Sequence, residues 1–445
     1  MEVLERIVDS VTDLSAKGIS ATVAQLISSG LIPPNERLPT TRQLAQHLNV
    51  SPGLISAAWQ LLVSDGLLET RGRQGTFVVD PEPPTPWRQF RHVVGSDLPL
   101  DLSTGFPDPE LLVDIRPTLR ELAEAPSYPG YPAEALDPEL ARALRSVLPV
   151  NPTNSNTLLS THILGALFEI FSVVGPPQTR VIVAEPEFAP YLDLLERGRL
   201  QPVPVPLDAE GPVLSAVAAA IRDGAKAIVL QPRVHNPTGI STSRARLRAI
   251  AELCERNDVW ILDGDYYGDL LPVPAMSAIE WAPAHTVYMR SFAKDIHPDI
   301  RVAVLVGAPK LIQEAHRRRV GGFEISRVNQ DLLRLLLSDE RRSESLLLAK
   351  EEYARRQRII LEVLAEHDIH VTGGGGFNIW IPVRSESDAL VYLASKGIGV
   401  APGSAFQLHG AGGPHIRVST ALAGGDTRQI GLELATAAKA SRKKR

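Results

Sequence analysis

Arg290-Ser-Phe-Ala-Lys-Asp-Ile-His-Pro-Asp-Ile-Arg301 is flanked by two apolar runs, Thr286-Val-Tyr-Met289 before it and Val302-Ala-Val-Leu-Val306 after it. Runs of this length and β-branched content read as strands, so Lys294 is carried on the turn between them. A lysine sheltered from water loses part of its preference for the charged form, and a neutral amine is a nucleophile towards an aldehyde. Ser291 and Arg301, on either side, are the kinds of group that hold a phosphate. A lone lysine is more often a solvated surface charge. The rest of the chain has to supply its partners.

From residue 100 onward strand-like and helix-like segments alternate, the pattern of an α/β domain with a mainly parallel sheet. Strands are expected at 158–160, 181–184, 227–231, 259–263, 287–290 and 302–307, and helices at 164–174, 191–197 and 243–257. Ligands of such sheets gather at the carboxyl ends of the strands, and four polar motifs fall there. Ser160-Thr-His-Ile-Leu-Gly165 joins a strand to a helix whose first amides suit an anion. Val183-Ala-Glu-Pro-Glu-Phe-Ala-Pro190 places Phe188 to stack on a flat ring. Gln231-Pro-Arg-Val-His-Asn-Pro-Thr-Gly239 sets Asn236 to donate to a phenolate oxygen. Ile261-Leu-Asp-Gly-Asp-Tyr-Tyr-Gly-Asp269 offers a carboxylate for a protonated ring nitrogen and a tyrosine for that same oxygen. Two registers are open in it, Asp263 with Tyr266 or Asp265 with Tyr267.

The order Asn-Pro-Thr-Gly, then Asp-x-x-Tyr, then Ser-x-x-Lys followed by arginine resembles the fold type I pyridoxal-phosphate enzymes, the aspartate aminotransferase family, across about residues 100 to 440. The resemblance implies a Schiff base between Lys294 and pyridoxal 5′-phosphate. It implies Asp263 on the pyridine nitrogen, Asn236 and Tyr266 on the ring hydroxyl, and Phe188 stacked on the ring. Thr161, His162 and Ile163, with Ser291 and Arg301, would surround the phosphate. Pro402-Gly-Ser-Ala-Phe406 followed by His415-Ile-Arg-Val-Ser-Thr420 matches the segment whose arginine holds a carboxylate, which assigns Arg417 to a substrate or effector. His162 stands where the family carries a glycine. A tyrosine reaching the phosphate across a dimer interface would be Tyr128 or Tyr131.

The first eighty residues read differently. Apolar residues recur at helical spacing from Ile19 to Ser29, Thr40 or Thr41 caps a helix over 42–48, and Ser51 followed by Pro52 opens another that runs to about Ser64. Residues 67–79 then read as a hairpin turning at 71–75. Three helices and a glycine hairpin make a winged helix-turn-helix, whose third helix enters the major groove. Leu38-Pro-Thr-Thr-Arg-Gln-Leu-Ala45, Asp65-Gly-Leu-Leu and Gly75-Thr-Phe-Val78 resemble the DNA-binding domain of the GntR family. That likeness places Thr41, Arg42, Ser51, Gly53 and Ser56 at the groove or backbone of double-stranded DNA, with Arg71, Arg73 and Gly75 in the wing. Six basic residues face eight acidic ones in this segment, a net of −2. Phosphate contacts favour a basic surface, so the positive charge has to be local, in the second helix and the wing.

The whole chain gives limits. Its 445 residues suggest two or three domains, and 44% hydrophobic with 22% charged residues is ordinary for a globular protein. Thirty-six prolines argue for many loops, and Asp80-Pro-Glu-Pro-Pro-Thr-Pro86 reads as an extended tether. The single Cys254 excludes an intrachain disulfide and reads as a buried thiol. No apolar run spans a bilayer and no signal pattern opens the chain, so the expected location is the cytoplasm, with no membrane partner.

The expected organisation is a multidomain chain. It comprises a winged helix-turn-helix at 1–80, a linker at 81–99, and an α/β aminotransferase-like domain at 100–445 with a small α+β subdomain from about 325. This arrangement resembles the MocR-type transcriptional regulators. The resemblance implies a homodimeric, pyridoxal-phosphate-dependent regulator that binds a DNA operator and senses a small amino compound through Lys294. An aminotransferase with a vestigial DNA-binding extension and a cofactor-free dimeric regulator are the other readings of the same parts.

Overall fold

The computed structural model describes residues 3–28, 31–33, 35–64, 67–79, 98–125, 130, 134–271, 275–319, 325–408 and 412–441. The chain divides into two compact units, residues 1–85 and 86–445. Most of the proline-rich tether, together with Tyr128 and Tyr131, lies outside the described residues.

In the first unit the helices are Val3–Ser10, Ala16–Ser28, Thr41–Leu48 and Pro52–Ser64, followed by antiparallel strands Leu68–Thr70 and Thr76–Val78. Thr40, not Thr41, caps the third helix. Its hydroxyl accepts from the Gln43 amide while the Gln43 side chain accepts from the Thr40 amide, a reciprocal capping box. Ser51 accepts from the Leu54 amide at 3.2 Å and so closes the start of the fourth helix. The helix Val3–Ser10 was not expected. Ile7 on it is fully buried, and Val3, Leu4, Val8 and Val11 pack on the same core.

The second unit is built on an eight-stranded sheet. Its order is Thr157–Ser160, Ala303–Gly307, Thr286–Ser291, Trp260–Asp265, Ala227–Leu230, Arg180–Glu185, Gln201–Asp208 and Gly211–Pro212. Thr286–Ser291 to Gln201–Asp208 run parallel. Ala303–Gly307 is antiparallel to both its neighbours, as a short turn carrying Lys294 demands. All six expected strands are present. Of the two unexpected ones, Gly211–Pro212 is a two-residue edge strand and Gln201–Asp208 carries prolines at 202, 204 and 206. Spaced two apart, they put every missing N–H on the same side of the strand, away from Arg180–Glu185. That is where proline is tolerated in a sheet.

A cluster containing Leu158, Phe171, Val183, Tyr191, Leu262 and Met289 fills one face of the sheet. On the other face, Ile228, Ile250, Cys254, Ile261 and Ala278 form one cluster, and Leu159, Tyr288, Phe292 and Val304 another. Cys254 is buried as expected, and burial raises its thiol to about 12. The helix Glu340–Glu366 leads to a smaller layer of Asn378–Pro382, Ala401–Pro402 and His415–Ser419, backed by Glu386–Ser395 and Thr427–Lys439. Leu100–Asp101 pairs with Ile398–Gly399, so the first strand of this unit is tied to its last third. No helix among the described residues is long and apolar enough to cross a membrane.

Candidate functional site

The turn bearing Lys294 is held from below by apolar and ionic anchors. Phe292, Ile296 and Ile300 are essentially fully buried. Arg290, 1% exposed, donates from Nη2 to Asp295 Oδ2 at 2.6 Å and stands 3.5 Å from Asp265 Oδ2 through Nη1. Asp265 also accepts from Arg233 Nη1 and the Tyr288 hydroxyl, both at 2.7 Å, and from the amides of Tyr267 and Gly268. Burial alone would raise its carboxyl, but Arg290 and Arg233 prevail and hold it at about 2. Gly268, at φ +53°, has no room for a Cβ, which would overlap the Arg290 guanidinium.

Lys294 extends from this turn onto an aromatic floor. Its Nζ lies 4.3 Å from the Tyr267 ring centre and 5.5 Å from that of Phe377, within cation–π range. Gly105 closes one side, where an added Cβ would stand 3.6 Å from Lys294 Nζ and 3.8 Å from Arg417 Nη1. Burial, and then the positive charge of Arg417, pull the Lys294 amine down to about 7. Near neutral pH a large fraction of it is therefore the free nucleophile. Arg417 is fully buried; it donates to the Ser103 carbonyl and to Asn378 Oδ1, and burial lowers its guanidinium to about 10. The Tyr267 hydroxyl accepts from Asn378 Nδ2 at 3.1 Å.

The two acid–tyrosine registers separate here. Tyr267 is the tyrosine beside Lys294. Tyr266 lies instead with Tyr191, their hydroxyls 2.6 Å apart, and Phe188 meets both rings edge-on at 6.0 and 5.5 Å. Neither acid faces this group. Strand residues alternate between faces: Leu262 packs in the cluster of Tyr191, while Ile261 packs with Ala278 on the other side. Asp263 follows Ile261, and its Oδ2 accepts from Ser277 Oγ at 2.6 Å and the Ala278 amide at 2.9 Å. Burial raises it to about 7 despite those bonds. Strand geometry thus puts the Asp263 side chain on the Ala278 side, with its Oδ1 buried and without a hydrogen-bond partner among the described residues. The residue on the Phe188 side is Gly264, where a Cβ would stand 2.8 Å from Tyr191 Oη.

Of the remaining residues, Asn236 is 8% exposed, and its Oδ1 is buried without a partner among the described residues. Thr161 is half-buried, Ile163 is buried, and His162 caps the helix Ile163–Val174, its Nδ1 accepting from the Gly165 amide at 2.8 Å. The ring thus takes one of the amides that an anion would use, and the amides of Ile163 and Leu164 have no intrahelical partner. Ser291 Oγ accepts from the Ala293 amide, and Arg301 is exposed in the left-handed conformation. Sequence reasoning passed over Gly105, Tyr191 and Phe377. A signal for the last was present in Gly373-Gly-Gly-Gly-Phe377: Gly376, at φ +65°, would put a Cβ 2.7 Å from Tyr267 Cζ.

In the first unit, Arg42 and Gln46 are exposed on one helix, and Ser51, Gly53, Ser56 and Gln60 on the next. Arg71 is shared between Glu69 Oε1, Asn35 Oδ1 and the face of Phe77. Gly75, at φ +113°, lets Arg37 lie against the wing, a residue the sequence reading did not select. The side chain of Arg73 lies outside the described residues.

Residues 99–432 match the family of class I and II aminotransferases, and residues 15–78 match the gntR family of bacterial regulatory proteins. The chain belongs to the class I and II aminotransferases, whose cofactor is pyridoxal 5′-phosphate, and carries a GntR-type DNA-binding domain. Among its relatives is the vitamin B6 salvage pathway transcriptional repressor PtsJ of Salmonella typhimurium, 29% identical over 88% of this chain and 91% of the relative. Another is the pyridoxine biosynthesis transcriptional regulator PdxR of Corynebacterium glutamicum, 24% identical over 86% of each chain. A kynurenine aminotransferase of Pyrococcus horikoshii shares the fold of the second unit, with a TM-score of 0.68 over 77% of this chain and 90% of that one at 21% identity.

The residues present fit the attachment of such a cofactor. A buried amine with a lowered pKa and a buried arginine beside it are what an aldehyde-bearing, anionic ring compound requires. Asp263, expected at its ring nitrogen, is bonded through Oδ2 on the Ala278 side of the strand.

Proposed function

We propose that the protein is a cytoplasmic, homodimeric transcriptional regulator that reads DNA through its first unit and senses a vitamin B6 compound, alone or joined to an amino compound, through its second. The observation that carries the reading is the presence, in one chain, of a GntR-type reader and of Lys294 held as a partly neutral amine beside Arg417. Two relatives named for control of vitamin B6 salvage and pyridoxine biosynthesis support the choice of ligand.

In this reading Lys294 holds the aldehyde carbon covalently. The cofactor supplies a ring that can accept electrons from a bound amine. Thr161, Ile163, Ser291 and Arg301 receive the phosphate with the first amides of the helix Ile163–Val174. Asn236 and Tyr267 would bond the ring hydroxyl, and Arg417 would orient the carboxylate of an amino-compound effector by a planar, two-bond grip. Regulation requires that the ligand bind the DNA-competent and DNA-incompetent states with different affinities. A dimer would present two readers to a repeated or palindromic operator.

Arg42, exposed in the first turn of its helix, is placed to contact phosphate. Arg42→Ala is expected to weaken binding about equally for all sequences and to lower the salt slope of log affinity by about one. Titrating labelled operator DNA at several salt concentrations reads both. An unchanged slope would remove Arg42 from the interface. Steady transamination of an amino acid and keto acid panel, with no sequence-selective DNA retardation, would overturn the regulator reading as a whole.

A further inference from the structure

The ring-nitrogen end of the site departs from a carboxylate design, and the departure is built from three neighbouring features. First, the strand Trp260–Asp265 turns both its acids away from Phe188. Asp263 is bonded through Oδ2 to Ser277 and Ala278, its buried Oδ1 having no partner among the described residues, and Asp265 is bonded to Arg233, Tyr288 and two turn amides. Second, the position between them is Gly264, and the space a side chain would take there is filled by Tyr191 Oη and Tyr266 Cε2, at 2.8 and 3.1 Å from an added Cβ. Third, the phenols of Tyr191 and Tyr266 stand 2.6 Å apart. A pair of hydroxyls has two hydrogens, and one hydrogen bond between them uses only one. Among the described residues the second has no acceptor.

The remaining acid nearby, Glu187, is committed. Its oxygens accept from the amides of Ala184 and Phe188 and from Gln231 Nε2, with His235 Nε2 at 3.6 Å. Burial raises both phenols above their ordinary range, Tyr266 and Tyr191 alike, so each stays a donor at physiological pH. A phenol can donate to a neutral pyridine nitrogen, but it cannot offset the charge of a pyridinium as a carboxylate does.

We infer that the Tyr191–Tyr266 pair donates a hydrogen bond to the cofactor's ring nitrogen and keeps that nitrogen unprotonated. This inference rests on the proposed binding of pyridoxal phosphate at Lys294 and adds to it a reason why the protein senses rather than catalyses. An unprotonated ring withdraws electrons poorly, so capture of the aldehyde by Lys294 is retained while proton removal from a bound amine is disfavoured. The tyrosines are positioning residues for that state.

The test uses the full chain loaded with pyridoxal phosphate labelled with 15N in the ring and reads the nitrogen by NMR. The expected resonance is that of an unprotonated, hydrogen-bonded pyridine. Of Tyr266→Phe and Tyr191→Phe, which preserve ring volume, the one that removes the donating hydroxyl should leave the cofactor bound and move the resonance towards that of a pyridine without a hydrogen bond. Asp263→Asn should leave it in place. A pyridinium resonance in the unmodified protein, or one moved by Asp263→Asn and not by either phenylalanine variant, overturns the inference while leaving the regulator reading intact. Failure of the chain to hold the labelled cofactor at all, with no visible band, overturns the inference together with the cofactor part of the proposed function.

Discussion

Lys294→Ala is expected to abolish the visible band of the cofactor-loaded protein and to weaken cofactor retention tenfold or more, on the order of 1.4 kcal/mol or above. In the proposed reading a covalent bond at Nζ holds the cofactor, and none of the other residues assigned to the site carries an amine to replace it. In the unmodified protein the same amine sets a pH dependence. Its pKa falls from 10.5 to about 7, first through burial and then through Arg417. Above about 7 the amine is neutral and attacks; below, it is increasingly protonated, and the rate of band formation falls by about tenfold per pH unit. Stopped-flow absorbance at several pH values measures this. A rate still climbing steeply at pH 9 would mean that the amine is as well solvated as an ordinary lysine. A normal band in the alanine variant would mean that another group is the anchor.

Gly268→Ala should be among the most damaging single-methyl changes in the second unit, costing roughly 3–5 kcal/mol. Two effects combine. At φ +53° an alanine is strained by about 1–2 kcal/mol wherever it stands. The added Cβ would also fall on the Arg290 guanidinium, which is 1% exposed and paired with Asp295 and Asp265. Driving Arg290 aside takes from Asp295 its 2.6 Å partner and leaves it the more distant Arg342, while Asp265 keeps only the Arg233 cation, a costly loss for buried carboxylates. Gly425 supplies the control, because it has φ +66° and nothing within 4 Å of an added Cβ. Its alanine variant should pay only the backbone strain. Denaturant midpoints for the two variants, at unchanged m-value, give the difference. Equal losses would show that Arg290 can move freely and that its network does not hold the lysine turn.

The fold was largely legible because the strands of the second unit are short apolar runs between clear turn signals, and the motifs fall at their ends. The strand Gln201–Asp208 was missed because three prolines read as a breaker, although their spacing of two satisfies the sheet on one side. The first helix was missed because eight residues give little periodicity to count, although Val3, Leu4 and Ile7 carried it. The site was legible in its residue types and less so in its facing. A one-residue question, whether Asp263, Gly264 or Asp265 looks towards Phe188, depends on the phase of the strand, and the sequence shows an acid on either side of a glycine. Local spacing also cannot reveal partners that arrive from afar. Gly105, Phe377 and Arg417 gather around Lys294 only because Leu100–Asp101 pairs with Ile398–Gly399, and Asn378–Pro382 with His415–Ser419.

A regulator that senses through Lys294 must couple that residue to DNA. Operator affinity of the full chain, measured by fluorescence anisotropy at fixed salt with and without saturating pyridoxal phosphate, tests the coupling directly. The predicted result is a change of roughly 5-fold or more in the unmodified protein, the usual scale of coupling between sites, and no change in Lys294→Ala. Sequence-selective binding that pyridoxal phosphate leaves untouched in both proteins would contradict it.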